Sequence, residues 1–101
     1  MKKLVRVCSH LKATRSLGIR LGAAGDDVSL RVYADASFAA HKDAKSHGGI
    51  VIITSHGPTL AKAGKQKLVT RSSTEAELVT LSDAVSLAAY HLRFLKGQGY
   101  N

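Results

Sequence analysis

The sequence predicts a small α/β domain of 101 residues, or part of one, in which strands occupy the middle and a helix lies at each end. Three observations support this prediction. Residues 28 to about 36 alternate apolar and polar side chains, as a half-buried strand does. Residues 49–54 form a β-branched run that is typical of a central strand. Residues 73 to about 96 repeat apolar side chains at spacings of three and four, which indicates a long amphipathic helix.

The first element is a helix predicted over residues 2 to about 15, where an apolar stripe lies among basic residues. The stripe consists of Leu4, Val7, Cys8 and Leu11. Cys8 is therefore expected to be a buried thiol. As the single cysteine it excludes an internal disulfide and suits a reducing compartment. Glycines and two aspartates then predict a loop over residues 18–27.

The predicted strands are joined by segments rich in polar and turn-forming residues. Residues 39–49 form a polar connection, and residues 55–58, which include Gly57 and Pro58, predict a turn after the central strand. A weaker strand is predicted over residues 59–63, and a further short strand over residues 67–70.

The long helix has two apolar faces. The larger is expected to pack on the sheet and consists of Leu78, Leu81, Val85, Ala88, Leu92 and Leu95. Glu77 lies roughly 50° from the centre of that face and Glu75 roughly 110° from it, at 100° per residue. Glu77 therefore borders the sheet. Glu75, in the first turn, is better placed to interact favourably with the helix dipole. The second face predicts self-association or docking through Val79, Leu87, Tyr90 and Phe94.

The chain is strongly basic, with a formal net charge of +8. Such a surface favours polyanions, most commonly nucleic acid, and the alternative interpretation is solubility. The candidate nucleic-acid-binding residues surround two acidic motifs: Lys42, Lys45, Lys62, Lys65, Lys67 and Arg71. No run approaches the roughly 18 apolar residues of a membrane span, so we expect no membrane partner.

Two carboxylates are the candidate catalytic and metal-binding residues. Asp35 ends the first predicted strand, and Glu77 lies in the first turns of the long helix, so the two could hold a divalent cation between them. The alternative is a solvated aspartate and a helix-capping acid. The run Ser72-Ser73-Thr74 predicts a capping box with Glu75 or Glu77 rather than a nucleophile.

Other kinds of site find little support in the sequence. The five histidines lack zinc-ligand spacing, and we expect them to be surface or turn residues. Gly48-Gly49 precedes a strand rather than a helix, which argues against a phosphate-binding loop.

Four sequence blocks together resemble the ribonuclease H domain of copia-type retrotransposon Pol polyproteins. They are Tyr33-Ala34-Asp35-Ala36-Ser37-Phe38, Lys45-Ser46-His47-Gly48-Gly49, Lys65-Gln66-Lys67 and Ser72-Ser73-Thr74-Glu75-Ala76-Glu77-Leu78. Residues 4–18 also resemble the segment that joins reverse transcriptase to that domain. The resemblance spans nearly the whole chain, and its most specific part is the Lys-Gln-Lys to Ser-Ser-Thr-Glu-Ala-Glu region.

The resemblance implies a ribonuclease H-like α/β fold, here an N-terminal helix, a three-stranded antiparallel meander and a long helix. Asp35 and Glu77 match two of the family's acids, which hold two Mg²⁺ or Mn²⁺ ions and hydrolyse RNA in RNA–DNA hybrids. The implied partners are the hybrid and the reverse transcriptase portion of the same polyprotein. The implied location is intracellular and cytoplasmic, in a virus-like particle.

The chain departs from the family's pattern at several positions. Ser37 and Phe38 stand where the family often has aspartate and tryptophan, and Ala61 replaces a usual tryptophan. The family's two further acids lie beyond the long helix, so we expect a truncated domain, inactive alone, with residues 1–25 as connection and residues 26–101 as its N-terminal portion. The alternative is a non-catalytic nucleic-acid-binding or protein-interaction module derived from this fold.

Overall fold

The computed structural model describes residues 1–22 and 28–100, which form two helices and three strands. In chain order these are α1 (Lys2–Ala13), β1 (Leu30–Ser37), β2 (His47–Thr54), β3 (Gly57–Lys65) and α2 (Ser73–Gly97). The predicted helix, three-stranded meander and long helix are thereby confirmed. The predicted boundary between residues 25 and 26, and part of the loop predicted over residues 18–27, lie outside the described residues.

The three strands form an antiparallel sheet in the order β1-β2-β3. Both outer strands pair with β2, and β3 extends further than residues 59–63. The register shifts between Ile52 and Ile53, where Thr59 is the extra residue on β3 next to Pro58. Proline is tolerated there because an edge strand at a bulge does not need its missing N–H. The strand predicted over residues 67–70 is wrong, since these residues form an irregular connection between β3 and α2.

Helix α2 packs on the sheet through its small residues, not through the apolar stripe that the sequence favoured. Ala76, Thr80 and Ala84 are buried, and we call them the small-residue face. This face lies roughly 100° around the helix from the centre of the predicted stripe, at 100° per residue. Leu81 and Val85 of that stripe remain 51% and 61% exposed. The predicted sheet-facing stripe is therefore wrong.

The second predicted apolar set is also divided by the packing of α2. Leu87 packs against the core formed by Ile50, Ile52 and Ala84, whereas Tyr90 and Phe94 are exposed. The small-residue face thus lies between two apolar stripes, and of their large side chains Leu87 is the one that packs against the core.

Gly48 of β2 explains why α2 approaches through its small-residue face. Its cross-strand partners, Ala36 in β1 and Gly64 in β3, are small as well. A Cβ placed on Gly48 would lie only 2.6 Å from Thr80 Oγ1, so the helix rests directly on the glycine backbone. Large side chains on this side of α2 would hold the two layers apart.

Helix α1 makes no contact with any other described helix or strand, and none of its residues is buried. The prediction that Cys8 is a buried thiol is therefore wrong: its stripe has no partner, and the thiol is exposed. Among the described residues, neither helix is long and apolar enough to cross a membrane.

Candidate metal and nucleic-acid site

The two glutamates at the start of α2 have different surroundings. Ser72 is the N-cap, and its Oγ accepts a hydrogen bond from the Glu75 backbone N–H at 3.1 Å. The Glu75 carboxylate accepts one from the Arg71 N–H at 2.6 Å. This reciprocal arrangement confirms the predicted capping role of the serine run and assigns its acid as Glu75. Glu77 takes no part in the cap.

Asp35 lies near the end of β1, opposite Gly49 of β2. Glycine at that position leaves one side of the aspartate uncovered, and Asp35 is exposed. Its carboxylate makes no hydrogen bond or ion pair with another described side chain. The aspartate therefore has the freedom to bind an external cation or hydrogen-bond donor.

A cleft of about 400 Å³ between β1 and the start of α2 brings the two candidate acids together. Asp35 and Glu77 both line it, and the other lining residues are Ala34, Thr74, Leu78 and Leu81. Asp83 does not line this cleft. It borders a different cavity, between β3 and α2.

The cleft offers two carboxylates to a cation. Carboxylate oxygens are the ligands that Mg²⁺ and Mn²⁺ prefer, so the pair suits these ions, with water or substrate oxygens completing the coordination. Within residues 1–22 and 28–100, no group of three or more His, Cys, Asp or Glu side chains could hold a metal ion. Metal binding by Asp35 and Glu77 therefore stays a prediction.

The predicted basic residues follow β3 and the connections at its end of the sheet. Lys62, Lys65 and Lys67 line a cavity of about 420 Å³ between β3 and α2, which Asp83 also borders. Lys65 pairs with Asp43 at 2.5 Å, and its hydrogen bond lowers the pKa of that carboxyl. The remaining members of the set lie in the connections, where Lys42 and Arg71 are exposed and Lys45 is half-buried.

A buried polar network, to which the sequence analysis assigned no role, anchors α2 to the sheet. Gln66 Nε2 donates to the Ala76 carbonyl at 2.8 Å and to Thr80 Oγ1 at 2.9 Å. Nearby, Ser46 Oγ and Thr70 Oγ1 are 2.9 Å apart. Gln66 was part of the most specific motif of the chain, which was the only available signal of its importance.

Two histidines also come together where spacing predicted only surface or turn residues. Both His41 and His47 are half-buried, and His41 Nε2 lies 2.9 Å from His47 Nδ1. No periodic pattern could have identified this pair, because it depends on the path of the connection between β1 and β2.

Comparisons with known proteins place the chain among retrotransposon sequences. Over 87 residues it is 37% identical to the retrovirus-related Pol polyprotein from transposon RE1 of Arabidopsis thaliana, covering 85% of this chain and 6% of that protein. Over 84 residues it is 38% identical to the corresponding polyprotein from transposon RE2 of the same plant, covering 82% of this chain and 6% of that protein. No protein-family model matches the chain, and no solved structure does.

These matches confirm the predicted relationship to retrotransposon Pol polyproteins. The chain spans about 6% of the length of the two relatives.

Proposed function

We propose that this homologue of retrotransposon Pol polyproteins is part of a copia-type ribonuclease H domain, which hydrolyses RNA in RNA–DNA hybrids. The main support is that Asp35 of β1 and Glu77 of α2 line one cleft, while Glu75 is engaged in the helix cap. The three-stranded meander followed by a long helix agrees with the fold that the motifs imply. The whole activity then belongs to the longer polyprotein context.

In this proposal, Asp35 and Glu77 supply two of the carboxylates that hold a pair of divalent cations. Such cations activate water and stabilise the leaving oxygen of a phosphodiester. The role of the two side chains is to fix the position of the scissile phosphate relative to the strand and the helix. Both side chains are exposed, and Glu75 rather than Glu77 makes the helix-capping hydrogen bond. Both can therefore turn toward a substrate without breaking a hydrogen bond within the protein.

The hybrid would be bound mainly through its phosphates. Lys62, Lys65 and Lys67 provide positive charge along β3, and Lys42, Lys45 and Arg71 extend it through the connections at that end. Contacts of this kind are independent of base sequence. RNA would be distinguished from DNA by its 2′-hydroxyl groups in the wide minor groove.

The test is cleavage of a labelled RNA–DNA hybrid with Mg²⁺ or Mn²⁺ by a polyprotein segment that includes this chain and continues beyond it. Asp35→Asn and Glu77→Gln should each lower the rate by at least about 100-fold, the upper range for loss of a metal site's supporting groups. Glu75→Gln is the matched control. Its amide oxygen can still accept from Arg71, so the rate should be nearly unchanged.

We expect no robust cleavage by the 101-residue chain alone, because two carboxylates would neutralise and position two cations poorly. Metal-dependent turnover by this chain, abolished in both acid variants, would show that two carboxylates suffice. Equal activity of all variants in the longer segment would refute the assignment of Asp35 and Glu77.

A second candidate function is a non-catalytic nucleic-acid-binding or interaction module, favoured by the net charge of +8 and by the absence, within the described residues, of a group of three or more metal ligands. Both candidates predict weak binding that falls steeply with salt, because phosphate contacts release counterions. Binding without cleavage in the longer segment would favour the module.

The surface that binds nucleic acid can be located by charge reversal. Replacing Lys62, Lys65 and Lys67 with glutamate should weaken hybrid binding and flatten the salt dependence measured by fluorescence anisotropy. Replacing Lys2, Lys3 and Lys12 of α1 with glutamate changes the net charge equally but leaves β3 intact. Equal losses in the two triple variants would indicate a nonspecific effect of net charge.

A further inference from the structure

The connection between β1 and β2 places two imidazole rings against each other. His41 Nε2 and His47 Nδ1 are 2.9 Å apart, and the ring centroids are separated by 5.2 Å. At this distance the two nitrogens share one hydrogen, since two N–H groups would repel. Both rings are half-buried, so the pair lies at the surface and is partly covered by the protein.

The backbone around His41 is fixed by bonds at several points. The His41 N–H donates to the Lys45 carbonyl at 3.1 Å, and the Ala44 N–H donates to the His41 carbonyl at 2.9 Å. Ala39 and Ala44 adopt positive φ angles of 46° and 58°, which non-glycine residues rarely do. The two positive φ angles make the backbone conformation of this connection energetically costly. In this conformation His41 lies close to His47.

We propose that His41 and His47 form a two-histidine binding site for a borderline divalent metal ion such as Zn²⁺. Imidazole nitrogen is a preferred ligand of Zn²⁺, Ni²⁺ and Cu²⁺. Two nitrogens bound to tetrahedral zinc at 2.0–2.1 Å are about 3.3 Å apart. The observed 2.9 Å therefore has to widen by a few tenths of an ångström, and the rings have to rotate until both lone pairs point at one metal ion rather than at each other.

Zinc binding requires the shared hydrogen to move from the bridging nitrogen to the outer nitrogen of the same ring. Each ring then remains neutral, presents a lone pair to the metal and releases no proton. The outer nitrogens are Nδ1 of His41 and Nε2 of His47. Because only neutral imidazole binds a metal, affinity should fall in acid.

The charged neighbours set the strength of this site. Asp43 lies in the same connection but is paired with Lys65, whose strand position is directly opposite His47. Lys42 and Lys45 add positive charge in the connection itself. Within the described residues no third His, Cys, Asp or Glu side chain joins the pair, so water completes the coordination. The neighbouring cations weaken binding of a dication, and the Asp43→Asn variant, which removes a negative charge, should bind zinc less tightly.

The experiment titrates ZnCl₂ into the full chain in a Cys8→Ser background, because the exposed thiol of Cys8 is itself a zinc ligand. Calorimetry should show one site, and His41→Asn or His47→Asn should weaken it by at least about tenfold, a loss seen even when a ligand's supporting partner is removed. His56→Asn is the matched control, since His56 is exposed in the β2–β3 turn. It should leave the affinity unchanged.

A spectroscopic measurement keeps the test independent of whether the variants fold. In the Cys8→Ser protein, zinc should shift the ¹⁵N resonances of His41 Nε2 and His47 Nδ1 more than those of any other histidine. Unshifted resonances at these nitrogens, or equal loss of binding in His56→Asn, would overturn the proposal. The zinc site is independent of the proposed nuclease function. Asp35→Asn and Glu77→Gln should therefore retain zinc binding. MgCl₂ should not compete with zinc, because Mg²⁺ prefers oxygen ligands to nitrogen ligands.

Discussion

The two sides of helix α2 meet the sheet in opposite ways. On the β3 side, Gln66 forms two hydrogen bonds to the helix, and Thr80 rests on Gly48. On the β1 side, where the helix packs most extensively on the sheet, Val32 of the strand and Leu81 and Val85 of the helix line an exposed apolar groove of about 560 Å³. We call the side held by polar bonds the closed side and the side that carries this groove the open side.

The candidate acids lie on the open side. Asp35 belongs to β1, and Glu77 precedes the exposed apolar residues of α2 that border the groove. The closed side anchors the helix through Gln66 and Thr80, so the exposed side chains that line the groove do not need to contribute to the fold. This division allows a cleft to exist in a domain whose described residues include only four buried hydrophobic side chains: Ile50, Ile52, Ala76 and Ala84.

The largest effect should come from filling the closed side at Gly48. Gly48→Val would bring its Cβ into Thr80 Oγ1, and we expect a loss of about 3 kcal/mol in unfolding free energy, at the upper end of overpacking costs. Gly49→Val is the matched control because a Cβ at Gly49 meets no atom within 4 Å. Urea denaturation would measure both. Equal costs at the two glycines would show that the helix does not rest on Gly48.

A smaller effect is expected from removing the bonds of Gln66. Gln66→Leu deletes the donor to Ala76 and Thr80, and we expect a loss of about 2 kcal/mol, typical of a broken buried hydrogen-bond pair. Part of the cost is offset because Gln66 Oε1 is buried and has no partner in the described structure. Thermal denaturation followed by circular dichroism would test this, and an unchanged midpoint would contradict the anchoring role.

The open side should tolerate change far better. Leu81→Lys with Val85→Lys should alter the unfolding free energy by no more than about 0.5 kcal/mol, as for other surface substitutions, and should raise solubility. The control is Leu87→Lys, which places an ammonium group against Ile50 and Ile52 and should be markedly destabilising. A large loss in the first variant would mean that the groove contributes to the fold.

The smallest effect concerns acid stability at the β3 edge. The hydrogen bond from Lys65 lowers the pKa of folded Asp43, so its stabilisation is present above the unfolded pKa of about 4 and is lost as pH falls through the lower folded value. Asp43→Asn should therefore be slightly less stable than the natural chain at pH 7 and equally stable in strong acid. Denaturation at each pH would measure the difference in unfolding free energy between the two proteins. A difference that stays constant across this pH range would exclude the Asp43–Lys65 pair as its source.

Element types were predictable because each strand and helix has a clear local pattern. The β-branched residues of β2 and the apolar repeat of α2 required no tertiary information. Asp35 and Glu77 could be singled out because strand ends and helix starts are readable from sequence. Their position in one cleft follows from the short connection between β3 and α2.

The packing face of α2 was not predictable by counting large apolar side chains. Helices approach a sheet most closely where both surfaces are small, and here the face formed by Ala76, Thr80 and Ala84 approaches the sheet at Gly48. Such complementarity exists only between two elements, so no single-element pattern contains it. The same holds for His41 and His47, which are brought together by two positive-φ residues in a connection.

The position of β1 at the edge of the sheet has a consequence for regulation. Its backbone is hydrogen-bonded to β2 on one side, and within the described residues no strand pairs with its other side. Asp35 lies on this strand, so a segment that extended the sheet would constrain its position relative to Glu77. Under the proposed function, pairing at this edge and the arrangement of the two candidate acids would be thermodynamically coupled.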